Sequence, residues 1–353
     1  MTDQRMQKTA KTLVENGFQV TMVGRKLSTS KDFFADNYSF KRLNCFFTKG
    51  KLFYIAYNIR LFFYLLSQKF DAIIAVDLDT IAPAFCAAKI KGAKKIYDAH
   101  EYFTEVPEVY NRKTVKNIWE KVAAIFIPKA DLAYTVSQSL AAIFKEKYSI
   151  AFQTIRNVPF ANDEKTIAEN SNPRFILYQG AVNEGRGLEA FLDAIIDLPI
   201  LFKIAGNGDV LENLKAQVTK NKQQQQVEFL GAISPTGLKT ITQQAFIGIN
   251  LLENKGQSYY YSLANKFFDY AQADVPQICI AFPEYQMLNK SYNIAVLVEN
   301  LQKDTIKSAV IRLVEDRELY ENLKSNCKKC AAENNWELES KKLVHSIKKL
   351  WNE

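Results

Sequence analysis

Histidine is nearly missing from this chain, with two among 353 residues. That leaves little room for a His-rich metal site. Cysteine is also sparse: the five present have no regular spacing and make no disulfide framework, so reduced thiols in a cytosolic chain are the expectation. No uninterrupted apolar run is long enough to span a bilayer. The most apolar stretch, Leu52 to Leu66, is broken by Asn58 and Arg60 and falls short of the ~20 residues a spanning helix needs. The opening MTDQRMQKTAKTL reads as a polar helix, not an apolar leader. Repeats and low-complexity tracts are missing, apart from a short Gln223–Gln226 run that suits a surface turn. Acidic residues are the minority charge, 38 against 46 Lys and Arg, giving a net charge of +8. A basic excess favours anionic partners: a phosphorylated ligand, an anionic membrane face or nucleic acid. No helix-turn-helix, RNA-binding or zinc-finger pattern accompanies it, so nucleic acid is disfavoured.

What is present fits a two-domain globular protein. The chain is 48% hydrophobic and 24% charged, which excludes disorder and fibrous repeats. In the first half, apolar runs at Phe18–Val23, Asp71–Val76, Lys94–Asp98 and Ala130–Val136 alternate with helical patterns. Such alternation implies a parallel sheet covered on both faces. Residues 157–173 are polar and aperiodic and read as a linker. The alternation then restarts, with strands expected at Arg174–Tyr178, Ile200–Ala205, Val227–Leu230, Phe246–Leu251, Gln277–Ala281 and Ile294–Val298. The expected organisation is a domain over 1–157, a second over 172–335, and a terminal helix over 336–353 that returns to the first. Sheets of this kind bind ligands at the carboxyl ends of their strands, so a cleft between the two domains is the default site.

Several clusters carry possible chemistry. In Ser262-Leu263-Ala264-Asn265-Lys266-Phe267-Phe268-Asp269, Ser262 is a suitable N-cap. A helix from there puts Ser262, Asn265, Lys266 and Asp269 on one face and Leu263, Phe267 and Ala271 on another. A helix start bearing free N–H groups, an Asn and a Lys suits a diphosphate, and an acid further along suits a ribose diol. The plain alternative is an amphipathic helix with a solvated face. The loop Gly180 to Gly187 follows a strand, with Gly180, Gly185 and Gly187 allowing close backbone approach to an anion and Arg186 adding charge. Gly206-Asn207-Gly208 also follows a strand, and Gly206 and Gly208 are placed with the donor-binding residues, but the segment lacks the third glycine and the acid of a dinucleotide fingerprint, which disfavours a nicotinamide site. Asp98-Ala99-His100-Glu101 closes a strand in the first half, where such folds place chemistry; its alternative is a loop His paired with a carboxylate. Asp77 and Asp79 close another strand. They resemble an acidic metal motif, but helix capping and substrate contact are the preferred reading. Cys327 and Cys330 form a lone CxxC and read as structural. The aromatic, basic run Lys41–Lys69 is either a membrane-surface element or, as preferred, a buried helix covering the sheet.

In this order, the segments resemble the family 4 glycosyltransferases of GT-B fold over nearly the whole chain. Asp3-Gln4-Arg5 followed by KTAKTLVENGFQVTMVGR is similar to the family's opening. Tyr97 to Glu101 resembles a "D-x-H-E" motif of one branch. Gly180–Gly187 looks like the diphosphate loop, and Ser262 to Tyr270 resembles "S-x-P-N-K-x-x-E-Y". The resemblance implies an α/β chain of two Rossmann-like domains. A nucleotide-sugar would bind the second and an acceptor the first, with retention of anomeric configuration and no obligatory metal or other cofactor. By position, Arg186 and Lys266 would hold the diphosphate, helped by backbone N–H groups around Ser262–Ala264. Asp269 would bind the ribose, and His100 would lie near the transferred sugar. Asp77, Asp79 and Glu101 would face the acceptor.

Three departures stand out. The family's acid eight residues before the ribose acid is Tyr261 here, leaving Glu253 as a substitute. The usual loop Arg is Ala181. The family's first strand is missing ahead of Asp3, which implies an N-terminally truncated sequence with two unpaired edges in the first domain. The function expected is transfer of a sugar from a UDP- or GDP-sugar to a glycan or lipid-linked acceptor in surface polysaccharide synthesis. The expected setting is cytoplasmic, at the inner face of an anionic membrane. The alternatives are an epimerase of the same fold, a non-catalytic nucleotide-sugar binder, and a metal-dependent transferase using Asp77 and Asp79.

Overall fold

The computed structural model describes residues 4–26, 37–47, 50–161 and 174–351. Asp3 and residues 162–173 of the expected linker lie outside them. The chain divides into two compact units. The first comprises Met1–Asn157 with Glu339–Glu353, the second Val158–Leu338.

The described strands of the first unit are β1 (Thr21–Lys26), β2 (Ser39–Asn44), β3 (Ala72–Val76), β4 (Lys94–Ala99), β5 (Leu132–Thr135) and β6 (Phe152–Thr154). They form two all-parallel sheets, β1-β2 and β3-β4-β5-β6. The apolar runs expected near β1, β3, β4 and β5 are all strands. β2 and β6 escape a sequence reading for physical reasons. β2, SFKRLN, is half exposed and carries two cations, and β6 is three residues long. The first helix, Gln4–Glu15, buries Arg5, Thr9, Ala10, Thr12 and Leu13, the i, i+4, i+5, i+7, i+8 stripe of an amphipathic element. In the terminal helix Trp336–Lys349, Glu339 accepts the Arg156 N–H at 3.0 Å and the Ser346 hydroxyl meets Gln153.

The second unit is one six-stranded parallel sheet. Its strands are β7 (Phe175–Gln179), β8 (Leu201–Ala205), β9 (Val227–Gly231), β10 (Ile247–Asn250), β11 (Gln277–Ile280) and β12 (Ala295–Val298), in the order β12-β11-β10-β7-β8-β9. β7, β10 and β11 are buried along their whole length, as central strands covered on both faces must be. Their side chains pack with Phe191, Leu192, Phe202, Ile306 and Val310 into one core. The order reverses between β7 and β10. A doubly wound sheet opens a crevice at that point, beyond the carboxyl ends of the two strands.

Candidate functional site

Two polar clusters occupy strand ends, one in each unit. In the second unit the cluster stands at the reversal between β7 and β10. The helix Asn265–Gln272 is fixed there by Tyr270, whose hydroxyl donates to the Leu177 carbonyl of β7 at 2.9 Å and approaches Ile249 O of β10 at 3.4 Å. The ring lies against Gly248, where a Cβ would overlap it. So anchored, Lys266 crosses the mouth of β7. Its Nζ lies 3.7 Å from the centroid of the Tyr178 ring and 3.6 Å from where a Cβ at Gly180 would stand. Gly180 itself adopts φ +125°, which suits glycine.

Arg186 stands in the same loop between two positive-φ glycines, Gly185 and Gly187. Its guanidinium covers the Tyr259 ring at 5.1 Å, and its Nε is buried without a hydrogen-bond partner among the described residues. Arg186 and Lys266 sense one another: burial first, and then the Arg186 charge, push the Lys266 pKa well below 10.5. Among the described residues no ion pair joins either cation to a carboxylate within 4.0 Å, and the Asp269 charge only partly offsets the shift at Lys266. Desolvated positive charges side by side are costly unless something compensates them. The arrangement suits a multiply charged anion.

Asp269, one turn after Lys266, accepts from Gln179 Nε2 at 3.0 Å, and Gln179 Oε1 accepts from Thr242 Oγ1 at 2.6 Å. Leu263, Phe267 and Ala271 are buried, as their shared face required. Two expectations at this helix need correction. Ser262 does not cap it: the N-cap is Ala264, and the Ser262 hydroxyl turns back to the Tyr259 carbonyl at 2.8 Å. The N–H groups of Ser262–Ala264 are not all free to bind an anion. Ser262 N donates to Tyr259 O at 3.2 Å and Ala264 N to the Tyr285 hydroxyl at 3.0 Å. Leu263 and Asn265 lie beside them at the helix start, Leu263 buried and Asn265 exposed.

The glycine pair Gly206 and Gly208 lets one loop pack on another. A Cβ at Gly206 would overlap the Gly180 carbonyl, and one at Gly208 the Val182 carbonyl. Their absence lets the loop after β8 lie flat on the loop after β7, joined by Gly180 N to Ala205 O and Val182 N to Asn207 O, both 3.0 Å. Sequence reasoning missed Tyr178 and Tyr259, which floor the two cations, and Gln179, which links Asp269 to the sheet. Tyr178 and Gln179 end the strand before the glycine loop, and that position was the signal that could have found them. Tyr261 packs edge-on to Tyr260 at 5.0 Å. Glu253 is committed to Lys255 at 3.0 Å, which also binds Glu184 at 2.5 Å.

The first unit's cluster gathers the ends of β3 and β4 with the first helix. Asp98 is fully buried. Arg5 grips it from Nη2 to Oδ1 at 2.9 Å and from Nε to Oδ2 at 3.4 Å, while Arg5 Nη1 donates to Ile155 O at 3.1 Å. His100 Nε2 meets Asp98 Oδ2 at 3.1 Å. Asp77, at φ +54°, donates its N–H to the Asp98 carbonyl at 2.9 Å and accepts the His100 N–H on Oδ1 at 2.9 Å. Burial raises the Asp77 pKa to about 7, opposed by the nearby His100 charge. Asp98 is held well below the usual carboxylate range by Arg5 and His100, against its burial. Asp79 is raised to about 6 by burial, with Arg25 of β1 opposing.

Capping by Asp77 and Asp79 is not what the structure shows. Thr80 is the N-cap of the helix Ile81–Lys91 and makes no side-chain cap bond; its hydroxyl donates to Val76 O. Asp77 instead ties the loop of His100. Glu101 is exposed and adds negative charge near Asp77. Among the described residues, no group of three or more His, Cys, Asp or Glu is placed to hold a metal ion. Cys327 and Cys330 are both buried thiols outside any disulfide among the described residues.

A doubled Rossmann-like architecture with an anion-ready crevice defines a class of two-domain α/β enzymes, and comparison with known proteins sharpens it. The family model described as Glycosyltransferase Family 4 matches residues 4–161, and that described as Glycosyl transferases group 1 matches residues 160–330. The chain belongs to the family 4, group 1 glycosyltransferases, and its fold is GT-B. A sequence search of curated proteins returns no significant match. Solved structures of the same fold include sucrose-phosphate synthase from Thermosynechococcus elongatus (TM-score 0.81, 15% identity, 99% of this chain and 93% of that one). HepE from Anabaena, solved with UDP, has TM-score 0.73 and 12% identity over 94% of this chain and 100% of that one. WaaG, a glycosyltransferase involved in lipopolysaccharide biosynthesis, has TM-score 0.77 and 12% identity over 96% and 94%.

Proposed function

We propose that this glycosyltransferase moves a sugar, with retention, from a UDP- or GDP-sugar to a glycan or lipid-linked acceptor in surface polysaccharide assembly, without an obligatory metal. The observation that carries the donor assignment is the Lys266–Arg186 pair at the β7/β10 crevice, two cations lacking a carboxylate partner among the described residues. A nucleoside diphosphate is the leaving group of such a transfer. Preorganised cations stabilise the charge that develops on it, and Lys266 and Arg186 fill that role. Asp269, one helical turn on, takes the ribose. The UDP complex of HepE supports a nucleotide-sugar donor. His100 serves the transferred sugar from the first unit, with Asp77, Asp79 and Glu101 on the acceptor side.

The test is calorimetric titration of the whole chain with UDP, GDP and ADP, followed by donor hydrolysis with and without EDTA. Binding of UDP or GDP that Lys266→Ala and Arg186→Ala each weaken tenfold or more supports the assignment, and unchanged affinity in both variants refutes it. Conversion of donor alone to an epimer would make the protein an epimerase. Tight binding without turnover across acceptors would make it a non-catalytic binder, the reading that Tyr261 and the engaged Glu253 favour. Loss of activity in EDTA, restored by Mn²⁺, would overturn metal independence.

The setting we assign is an anionic membrane face, reached from the cytoplasm. No helix among the described residues is long and apolar enough to cross a membrane. The helix Gly50–Ser67 is apolar on two sides, however. Phe53, Tyr57, Leu61 and Leu65 are buried, which answers to the expected covering helix. Leu52, Ile55, Ile59 and Phe63 are exposed beside Phe46, which is 89% exposed. Residues 41–69 contain Lys41, Arg42, Lys49, Lys51, Arg60 and Lys69 and no acidic residue. An exposed apolar face in a segment whose charges are all cationic matches an anionic lipid surface. Sedimentation with vesicles rich in phosphatidylglycerol, weakened by Ile59→Ser/Phe63→Ser and absent with phosphatidylcholine, is the expected result. No vesicle binding refutes it.

A further inference from the structure

The His100 ring lies between two carboxylates that hold it unequally. Asp98 is fully buried and fixed by the Arg5 guanidinium, which is itself buried and anchored a third time on the Ile155 carbonyl. Its Oδ2 takes His100 Nε2 at 3.1 Å. Asp77 Oδ2 stands 3.7 Å from Nδ1, beyond hydrogen-bond reach. Nε2 is therefore committed, and Nδ1 keeps its bonding capacity for something else. The backbone reinforces this pose, since the His100 N–H is bound by Asp77 Oδ1 at 2.9 Å.

The charges around the ring decide what Nδ1 can do. Asp98 and Asp77 face it directly. Arg5 lies behind Asp98, Glu101 adjoins Asp77, and Asp79 lies further along the same loop. Tyr97 and Tyr134 are buried and kept neutral, their pKa values pushed well above 10.0 by burial. A general base needs a lone pair on the imidazole, yet two carboxylates hold the proton there.

We propose that His100 serves as a fixed imidazolium that donates its Nδ1–H to a ligand oxygen, and that Arg5 is its positioning residue, acting through Asp98. Only the identity of that ligand, a sugar, rests on the transferase reading. The ring takes no proton in this role; it presents one. The flanking carboxylates raise the His100 pKa to about 9, against its burial and the Arg5 charge, so the cation persists at neutral pH.

Two histidines make a direct test practical. The intact chain labelled with ¹⁵N in its imidazole rings gives two sets of ring signals, and His345→Gln leaves those of His100 alone. The expected result is a doubly protonated ring at pH 7.5, with a deprotonation midpoint near 9. Asp98→Asn should lower that midpoint by at least one pH unit, and Asp77→Asn should lower it by less. Arg5→Lys keeps the charge and loses the planar fork. It should leave His100 protonated while its Nε2 proton exchanges with water at least tenfold faster. A neutral ring at pH 7.5, or a midpoint unmoved in whichever carboxylate variant folds, overturns the cation. Equal exchange rates in Arg5→Lys overturn the positioning role. No nucleotide or sugar is in the tube, so a failed transferase assay leaves these outcomes untouched.

Discussion

Lys266 offers the sharpest perturbation, because its cost in the empty site and its value in the filled one have opposite signs. Its ammonium rests on the Tyr178 ring at 3.7 Å, is partly buried, and is repelled by Arg186. Its folded pKa is therefore below 10.5. A lowered lysine pKa destabilises the folded state fully below that lowered value, and the penalty fades as pH rises from it toward the unfolded value. Lys266→Met removes a charge and keeps the stem, so at pH 7 the variant should melt no lower than the native protein. Binding reverses the sign. A diphosphate supplies counter-charge beyond that of Asp269, and one charge-assisted contact is worth ~1.5–3 kcal/mol, roughly a tenfold to more than a hundredfold change in Kd. The bound anion also raises the lysine pKa, so binding at a pH above the free value must take up a proton. Above about pH 6, where the terminal phosphate is ionised, UDP affinity should be level and then fall up to tenfold per unit once pH passes the free pKa of Lys266. Titration calorimetry in buffers of different ionisation enthalpy reads both the affinity and the proton count. A variant that melts lower and still binds UDP with native affinity would refute the whole account of this pocket.

Asp269→Asn should weaken UDP about tenfold and leave inorganic pyrophosphate unaffected, since a ribose contact is lost and no phosphate contact is; equal losses for both ligands would remove the ribose role. Gly206→Ala sets a Cβ against the Gly180 carbonyl and should cost roughly 1–3 kcal/mol through overpacking, visible as a lower Tm. Asp77, with a folded pKa near 7 against 3.8 when unfolded, subtracts stability as pH rises from about 4 and subtracts it in full above about 7. With 22% of its side chain exposed, the penalty is on the order of 2 kcal/mol. Thermal melts should show Asp77→Asn gaining on the native protein between those limits and holding a constant lead above them. A lead that shrinks with pH would reverse the assigned sign.

The parts of this molecule that a sequence reading reached are those set by local pattern. β7, β10 and β11 are continuous apolar runs, legible as buried parallel strands, and the Leu263, Phe267, Ala271 face is periodic enough to be placed inside. Lys266 and Asp269 follow from their spacing on one short helix. What stayed hidden depends on residues distant in the chain meeting in space. The Arg5–Asp98 pair spans 93 positions, and nothing in QRMQKTAKTLVE distinguishes Arg5 from a solvated cation until β4 is set beside the first helix. Ser262 shows the opposite failure. Its type favours an N-cap, but the backbone turns at Tyr259 and delays the helix to Asn265, so propensity yields to the tertiary position that Tyr270 imposes between β7 and β10. The glycines divide on the same principle. Gly180 is required by its backbone, at φ +125°, whereas Gly206 makes room for the Gly180 carbonyl, and only the partner across the gap tells the two apart. Chemistry at this site is thus carried by residue types the sequence displays openly, and its electrostatics by pairings that the sheet order alone creates.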